Sequence, residues 1–187
     1  MKIIVCDNYD EMSKAAAKIV AEQVKTNPNS VLGLATGSTP IGMYGELAEM
    51  NKRGEIDFKT IRTFNLDEYY PLAADNDQSY RYFMNENLFS KINIDISNTH
   101  ILNGLCEDTT AECENFEKLI EQNGGIDLQV LGIGQNGHIG FNEPSENLNS
   151  RTHLTDLTEN TIQANSRFFD DISDVPTQAL TMGMGTI

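Results

Sequence analysis

Short apolar runs alternate with longer amphipathic stretches along this chain, and the alternation predicts its elements. Continuous apolar runs bounded by polar residues are typical of buried strands, whereas apolar residues spaced three and four apart indicate helices. Asn8 and Glu11 resemble a helix-capping box, and the apolar positions after them repeat at helical spacing through Val20. The predicted strands are 3–5, 31–35, 61–66, 100–102 and 126–133, and the predicted helices begin after Asn8 and cover 41–52, 80–91 and 110–123.

The order of these elements predicts an α/β fold. Strands that alternate with helices are joined by right-handed crossovers, which gives a doubly wound, mostly parallel sheet with helices on both faces, of the Rossmann-like kind. No internal repeat or low-complexity linker divides the 187 residues. We therefore expect residues 1–187 to form a single domain.

Charge narrows the range of partners. The chain has 13 basic and 28 acidic residues and a net charge of −15, which repels nucleic acid and anionic membranes. No stretch approaches the ~20 apolar residues of a membrane span, and the first residues are too short an apolar run for a signal peptide. The three cysteines are spaced unlike zinc ligands, so neither a disulfide framework nor a metal site is predicted. We expect a cytoplasmic protein that binds neither nucleic acid nor membrane.

Two loops that follow predicted strands carry polar sequence. Parallel sheets bind their ligands outside the carboxyl ends of the strands. Segment 36–40, Thr-Gly-Ser-Thr-Pro, precedes a helix, which fits either an anion site at a helix N-terminus or an ordinary helix start. After the third predicted strand, Asp67 and Glu68 are adjacent acids. On an acidic protein such a pair is usually only solvated, so its role depends on a partner elsewhere in the chain.

That partner is predicted in the glycine-rich loop after the fifth strand. The glycines of 132–137 spell G-x-G-x-x-G, but the dinucleotide-binding fingerprint also requires a helix to begin there, and segment 141–147 is polar and interrupted by proline. We favour a catalytic loop in which Asn136, His138 and Glu143 lie close together. An imidazole moves protons near neutral pH, which suits acid–base catalysis.

Four segments together resemble a known family. ATGSTP at 35–40, FNLDEY at 64–69, GIGQNGHIGFNEP at 132–144 and NSRFF at 165–169 are similar, in content and order, to motifs of the glucosamine-6-phosphate deaminases. The resemblance runs over the whole chain. The related 6-phosphogluconolactonases typically continue the histidine loop into an Ala-Ser-Leu-Phe-Pro-like segment, so the deaminase family is the closer match.

The resemblance implies conversion of glucosamine 6-phosphate and water into fructose 6-phosphate and ammonia, in amino sugar catabolism, without metal or organic cofactor. By the same match, His138 opens the sugar ring, Asn136 and Glu143 orient its imidazole, and Asp67 carries a proton between C2 and C1. Glu68 is a support candidate only. The residues implied in substrate binding are Thr36, Gly37, Ser38, Thr39, Gly132 and Arg167, with Arg167 on the phosphate.

Several points stay open at this stage. One alternative is a hydrolase like 6-phosphogluconolactonase, and another is an inactive fragment that binds sugar phosphate. Members of the family continue well beyond the apolar segment 180–187, so we expect this chain to lack C-terminal elements of the sheet. The polar segment 142–161 is either a lid or an ordinary surface excursion. The sequence leaves open whether the protein is a monomer or a homo-oligomer.

Overall fold

A computed structural model describes residues 1–134, 136–144, 146, 148–166, 169 and 171–187, without the side chains of residues 164 and 165. Its helices are α1 (Tyr9–Thr26), α2 (Ile41–Lys52), α3 (Tyr80–Asn87), α4 (Thr109–Gln122) and α5 (Glu159–Asn165). Its strands are β1 (Val31–Leu34), β2 (Arg62–Asn65), β3 (Asp67–Tyr70), β4 (Thr99–His100), β5 (Leu128–Gln129), β6 (His153–Asp156) and β7 (Gln178–Thr181). None of the helices in these ranges is long and apolar enough to cross a membrane.

Four parallel strands form the first sheet, in the order β4-β2-β1-β5. Both faces of this sheet are covered, since neighbouring residues of β1 point to opposite sides and all are buried. Leu32 and Leu34 pack with apolar residues of α1, α2 and α3. Val31 packs on the other side with Phe116 and Ile120 of α4. The α/β fold with helices on both faces is therefore confirmed.

A second, antiparallel sheet was not predicted. Its order is β3-β7-β6, and Thr181 of β7 lies opposite both Asp67 and His153. The chain reaches this sheet through Leu66, whose N–H donates to the Leu34 carbonyl over 3.1 Å and whose carbonyl accepts from the Met182 N–H over 2.8 Å. Asp67 and Glu68, which follow the third predicted strand, therefore begin the new strand β3. They do so because β7, more than a hundred residues away, pairs with them.

Two predicted strands differ from the observed ones, one at the start of the chain and one at the edge of the sheet. The strand predicted at 3–5 is wrong, since these residues form no strand and Val5 is 88% exposed. The strand predicted at 126–133 shortens to β5, which lies at the sheet edge, where Ile133 is 78% exposed. An apolar run becomes a strand only where another strand is available to pair with it. Segment 142–161 contains β6 and the buried Thr152, so part of it belongs to the second sheet.

Candidate active site

A cavity of about 700 Å³ lies where the carboxyl ends of the parallel strands meet the start of the second sheet. Its walls come from residues 35–37, 66–67, 132–134, 136, 138 and 140–141, together with Tyr80 of α3 and residues 160–161 of α5. Six predicted site residues line it, namely Thr36, Gly37, Asp67, Gly132, Asn136 and His138. Glu143 lies outside this lining and contacts His138. Ser38 and Thr39 are exposed outside the lining, and Arg167 lies outside the described residues.

Asp67 presents a buried carboxyl group to this cavity. Only 6% of the residue is exposed, and burial together with the negative charge of Glu68 raises the pKa of Asp67 to about 8. The loop that carries His138 closes over this carboxyl at Gly140. A β-carbon at position 140 would lie 2.9 Å from Thr181 Oγ1 and 3.5 Å from Asp67 Oδ2, and the φ of Gly140 is +59°. Glycine is required there because both the close approach and the backbone conformation disfavour a side chain.

The glycine pattern serves the packing of His138. A β-carbon at Gly134 would overlap the imidazole ring, so the ring rests directly on the Gly134 backbone. The Gly134 N–H also donates to the His138 carbonyl over 2.9 Å. Residues 138–144 form a bridge and turns and contain no helix. The dinucleotide-binding interpretation therefore lacks the helix N-terminus that would hold a pyrophosphate.

Glu143 connects the polar groups of this loop. Asn136 Nδ2 donates to Glu143 Oε2 over 2.5 Å, and the Thr161 hydroxyl donates to Oε1 over 2.7 Å. Glu143 Oε2 is 3.7 Å from His138 Nδ1, an ionic contact longer than a hydrogen bond. Burial alone would raise the pKa of Glu143, but donors from Thr161 and Asn136 and the proximity of His138 outweigh it and lower the pKa. A charged carboxylate therefore lies beside the imidazole.

The loop between β1 and α2 is braced from both of its ends. The Tyr9 hydroxyl donates to the Ser38 carbonyl over 3.0 Å and accepts the Gly42 N–H over 2.8 Å. The hydroxyl of the buried Tyr44 donates to the Ala35 carbonyl over 2.5 Å. The backbone that surrounds Gly37 is thus held in position beside the start of α2.

Three contributors to the site were missed by sequence reasoning. Tyr80 lines the cavity, and its ring lies parallel to that of Phe141 with centroids 6.1 Å apart. Thr181 accepts the Phe141 N–H over 3.1 Å and so ties the histidine loop to β7. Thr161 holds Glu143 as described above. The helix caps Ser79 and Thr158 mark where α3 and α5 begin, but no local signal shows that these helix starts reach the cavity.

The chain is similar in sequence to known proteins. Residues 7–178 match the model of a family described as glucosamine-6-phosphate isomerases/6-phosphogluconolactonase. A protein from Halothermothrix orenii named glucosamine-6-phosphate deaminase is 62% identical over all 187 residues, which cover 78% of its length. One of the same name from Clostridium perfringens is 60% identical, again over the whole chain and 77% of the relative.

Solved structures agree with these relatives. A monomeric glucosamine-6-phosphate deaminase superposes with a TM-score of 0.97 at 47% identity, over all of this chain and 78% of that one. A 6-phosphogluconolactonase from Thermotoga maritima, 24% identical, superposes with a TM-score of 0.71 over 97% of this chain and 75% of the other. The second likeness extends to the fold alone.

Proposed function

The chain belongs to the family of glucosamine-6-phosphate isomerases and 6-phosphogluconolactonases, and we propose that it converts glucosamine 6-phosphate and water into fructose 6-phosphate and ammonia. The observation that carries this proposal is the shared cavity of Asp67 and His138. The walls of this cavity carry two proton carriers, Asp67 and His138, together with the loop around Gly37. A phosphorylated amino sugar needs both, since its carbon chain must lose and regain a proton while its phosphate is held.

His138 is the group that opens the sugar ring. Its Nδ1 faces Glu143, which leaves Nε2 to exchange protons between the ring oxygen and the anomeric hydroxyl. Glu143 stabilises the imidazolium form that arises during this exchange, and Asn136 keeps Glu143 in place through its amide. The arrangement follows the logic of a base that is oriented by a third, charged group.

Asp67 carries the proton of the isomerisation. Its carboxylate takes the C2 proton of the open-chain amino aldehyde while O1 gains a proton, which gives an enolamine, and returns it to C1 while the nitrogen gives up a proton, which gives an imine at C2. Water then adds to C2, and the resulting carbinolamine releases ammonia and leaves the ketone. A pKa of about 8 suits both transfers, because a base is most effective when its pKa lies near the working pH.

The phosphate end is assigned to the start of α2. Backbone N–H groups around Gly37 and the first turn of α2 offer donors and the positive end of a helix dipole. The hydroxyls of Thr36, Ser38 and Thr39 are further donors, and Arg167 supplies positive charge by its match to the family motif. The net charge of −15 makes such local donors necessary for a phosphorylated substrate.

A lactonase is the competing activity within the same family. Hydrolysis of a lactone would use His138 but needs no proton carrier at Asp67. Burial of a carboxyl group that titrates near neutral pH costs free energy of folding. The lactonase reaction does not use such a group. The placement of Asp67 in the cavity wall therefore favours the deaminase.

Steady-state assays of both reactions test the proposal. We expect the wild type to release ammonia from glucosamine 6-phosphate and to leave 6-phosphogluconolactone intact. Asp67→Asn and His138→Gln should each lower kcat for ammonia release by about 10²- to 10⁴-fold, because each removes a proton carrier. Asp75→Asn, which changes an exposed carboxylate outside the cavity, is the matched control. Ammonia release that survives in Asp67→Asn would refute the role of Asp67, and lactone hydrolysis without ammonia release would refute the deaminase.

A further inference from the structure

Glu68 is a buried carboxylate that is held by three backbone amides. It is 1% exposed. Its Oε1 accepts the N–H groups of Tyr69 over 2.9 Å and Tyr80 over 2.8 Å, and its Oε2 accepts the N–H of Arg81 over 2.9 Å. A buried charge persists only where hydrogen bonds replace the lost water. Three charge-assisted bonds from backbone amides meet that requirement.

Two of these amides are the first two of α3. A helix leaves its first N–H groups without partners inside the helix. In α3, Glu68 binds those of Tyr80 and Arg81, and the Ser79 hydroxyl accepts that of Tyr82 over 3.0 Å. The negative charge of Glu68 also lies at the positive end of the helix dipole. Glu68 is therefore the main anchor of the start of α3.

The start of α3 is also a wall of the cavity. Tyr80, the first residue of the helix, lines the cavity and stacks on Phe141. Its ring centroid is 4.8 Å from that of Tyr69. Because the backbone of Tyr80 is bonded to Glu68, the position of this aromatic wall depends on Glu68.

Charge is the second link between Glu68 and the cavity. The titratable groups around Asp67 are Glu68 and Tyr69 on its own strand, Tyr80 of α3 and His138 across the cavity. The positive charge of Arg81 acts on Glu68, and its guanidinium donates to the hydroxyl and carbonyl of Thr99. Burial raises the pKa of Glu68 while its three amide donors lower it. On balance the pKa of Glu68 is raised, while its three donors favour the charged form.

We propose that Glu68 is a positioning residue of the candidate site, which fixes the Tyr80 wall by anchoring α3 and places a hydrogen-bonded carboxylate next to Asp67. The inference rests on the proposed function, since it concerns the same proton carrier. Glu68 touches no substrate in this scheme. It sets the pH range in which Asp67 is a base and the shape of the wall next to it.

The variant Glu68→Gln separates charge from shape. It keeps the size of the side chain and the Oε1 acceptor for Tyr69 and Tyr80, but removes the charge and turns an amide donor toward the Arg81 N–H. We expect the acid limb of the pH profile of kcat/KM to move to lower pH by roughly 0.5–1 unit, because Asp67 loses a neighbouring negative charge. We also expect a lower Tm, because the cap of α3 is weakened.

Ser79→Ala is the matched control. It removes the other cap of α3, the acceptor for Tyr82, and leaves the charges around Asp67 unchanged. A purely structural role of Glu68 predicts that both variants lower Tm and that neither moves the acid limb. That pattern would overturn the proposal, whereas a shift in Glu68→Gln alone supports it.

Carboxyl ¹³C NMR of the wild type tests the same inference without a variant at position 68 and without turnover. With Asp67 assigned by comparison with Asp67→Asn, we expect Glu68 to stay ionised over the pH range in which Asp67 becomes protonated. A Glu68 signal that titrates above that of Asp67 would overturn the proposal. Because no substrate is present, this result stands apart from any failure of the deaminase assay.

Discussion

At the scale of single residues, Asp67 is a buried group that must ionise to act as a base, and burial disfavours its ionised form. Burial and the charge of Glu68 raise its pKa from the usual 3.8 to about 8. Between these two values the folded protein holds a proton that the unfolded chain has released. The unfolded state thus binds fewer protons, so the free energy of unfolding falls as the pH rises through this window. Above pH 8 the full cost of the buried charge is present.

Asp67→Asn should therefore stabilise the protein while it abolishes turnover. The gain in the free energy of unfolding over wild type should increase from pH 5 to pH 9 and reach about 2–5 kcal/mol at the upper end, because the neutral amide avoids the cost of ionisation. Urea unfolding followed by circular dichroism at several pH values measures it. Asp75→Asn, at an exposed position, should show no such trend. An equal effect of Asp67→Asn at pH 5 and pH 9 would contradict the assignment of the buried charge.

At the scale of elements, α1 supports the loop that is assigned to phosphate. The Tyr9 hydroxyl bridges the Ser38 carbonyl and the Gly42 N–H, and no side chain at the N-cap position, Pro40, caps α2. A β-carbon at Gly42 would collide with Ser13 and the Tyr9 ring. The two helices therefore meet closely at this point, and a hydroxyl from α1 acts as the cap of α2.

Tyr9→Phe removes this bridge and keeps the ring that packs there. We expect KM for glucosamine 6-phosphate to rise about 3- to 10-fold, because the loop loses both hydrogen bonds of this hydroxyl, with little change in kcat. Tyr9 contacts the loop that is assigned to phosphate and is not part of the cavity lining that holds the proton carriers, so we expect binding to weaken and the chemical step to stay unchanged. Tyr82→Phe, in which the changed side chain is 39% exposed, controls for the loss of a tyrosine hydroxyl. A fall in kcat at unchanged KM would assign Tyr9 to the chemistry and contradict this expectation.

The elements also show what the sequence could and could not predict. The bounds of α2 were predicted at 41–52 as observed, and the Asn8 side chain caps α1 by accepting the Glu11 N–H as expected, because caps and helical spacing are local signals. The strand at β3 was missed since its partner is β7, which no local pattern reveals. Asp67 and His138 were predicted because they belong to local sequence motifs. Tyr80 was not predicted, because it reaches the cavity only through tertiary packing.

At the scale of the whole molecule, one of the apolar clusters joins the two sheets. Leu180 and Met182, at and just after the end of β7, are fully buried against Phe64 of β2 and Phe116 of α4. Leu66 is hydrogen-bonded to both sheets through its backbone. The cavity lies at this junction, so the relative placement of Asp67 and His138 depends on both sheets at once. The first sheet also packs against α1, α2 and α3 in a cluster of its own, and Tyr69 and Ala179 of the second sheet belong to a smaller one.

We expect the described fold to unfold in a single transition. Its free energy should depend on a buried residue of the second sheet. Leu180→Ala removes a side chain that is 0% exposed and should lower the free energy of unfolding by about 2–5 kcal/mol, since it leaves a cavity between the sheets. Far-ultraviolet circular dichroism and tyrosine fluorescence should trace the same urea transition in wild type and variant. Leu105→Ala, at a residue 57% exposed, should change the midpoint little. A fluorescence transition that precedes the loss of secondary structure would show that the second sheet detaches first, and the shared core would then not couple the two sheets.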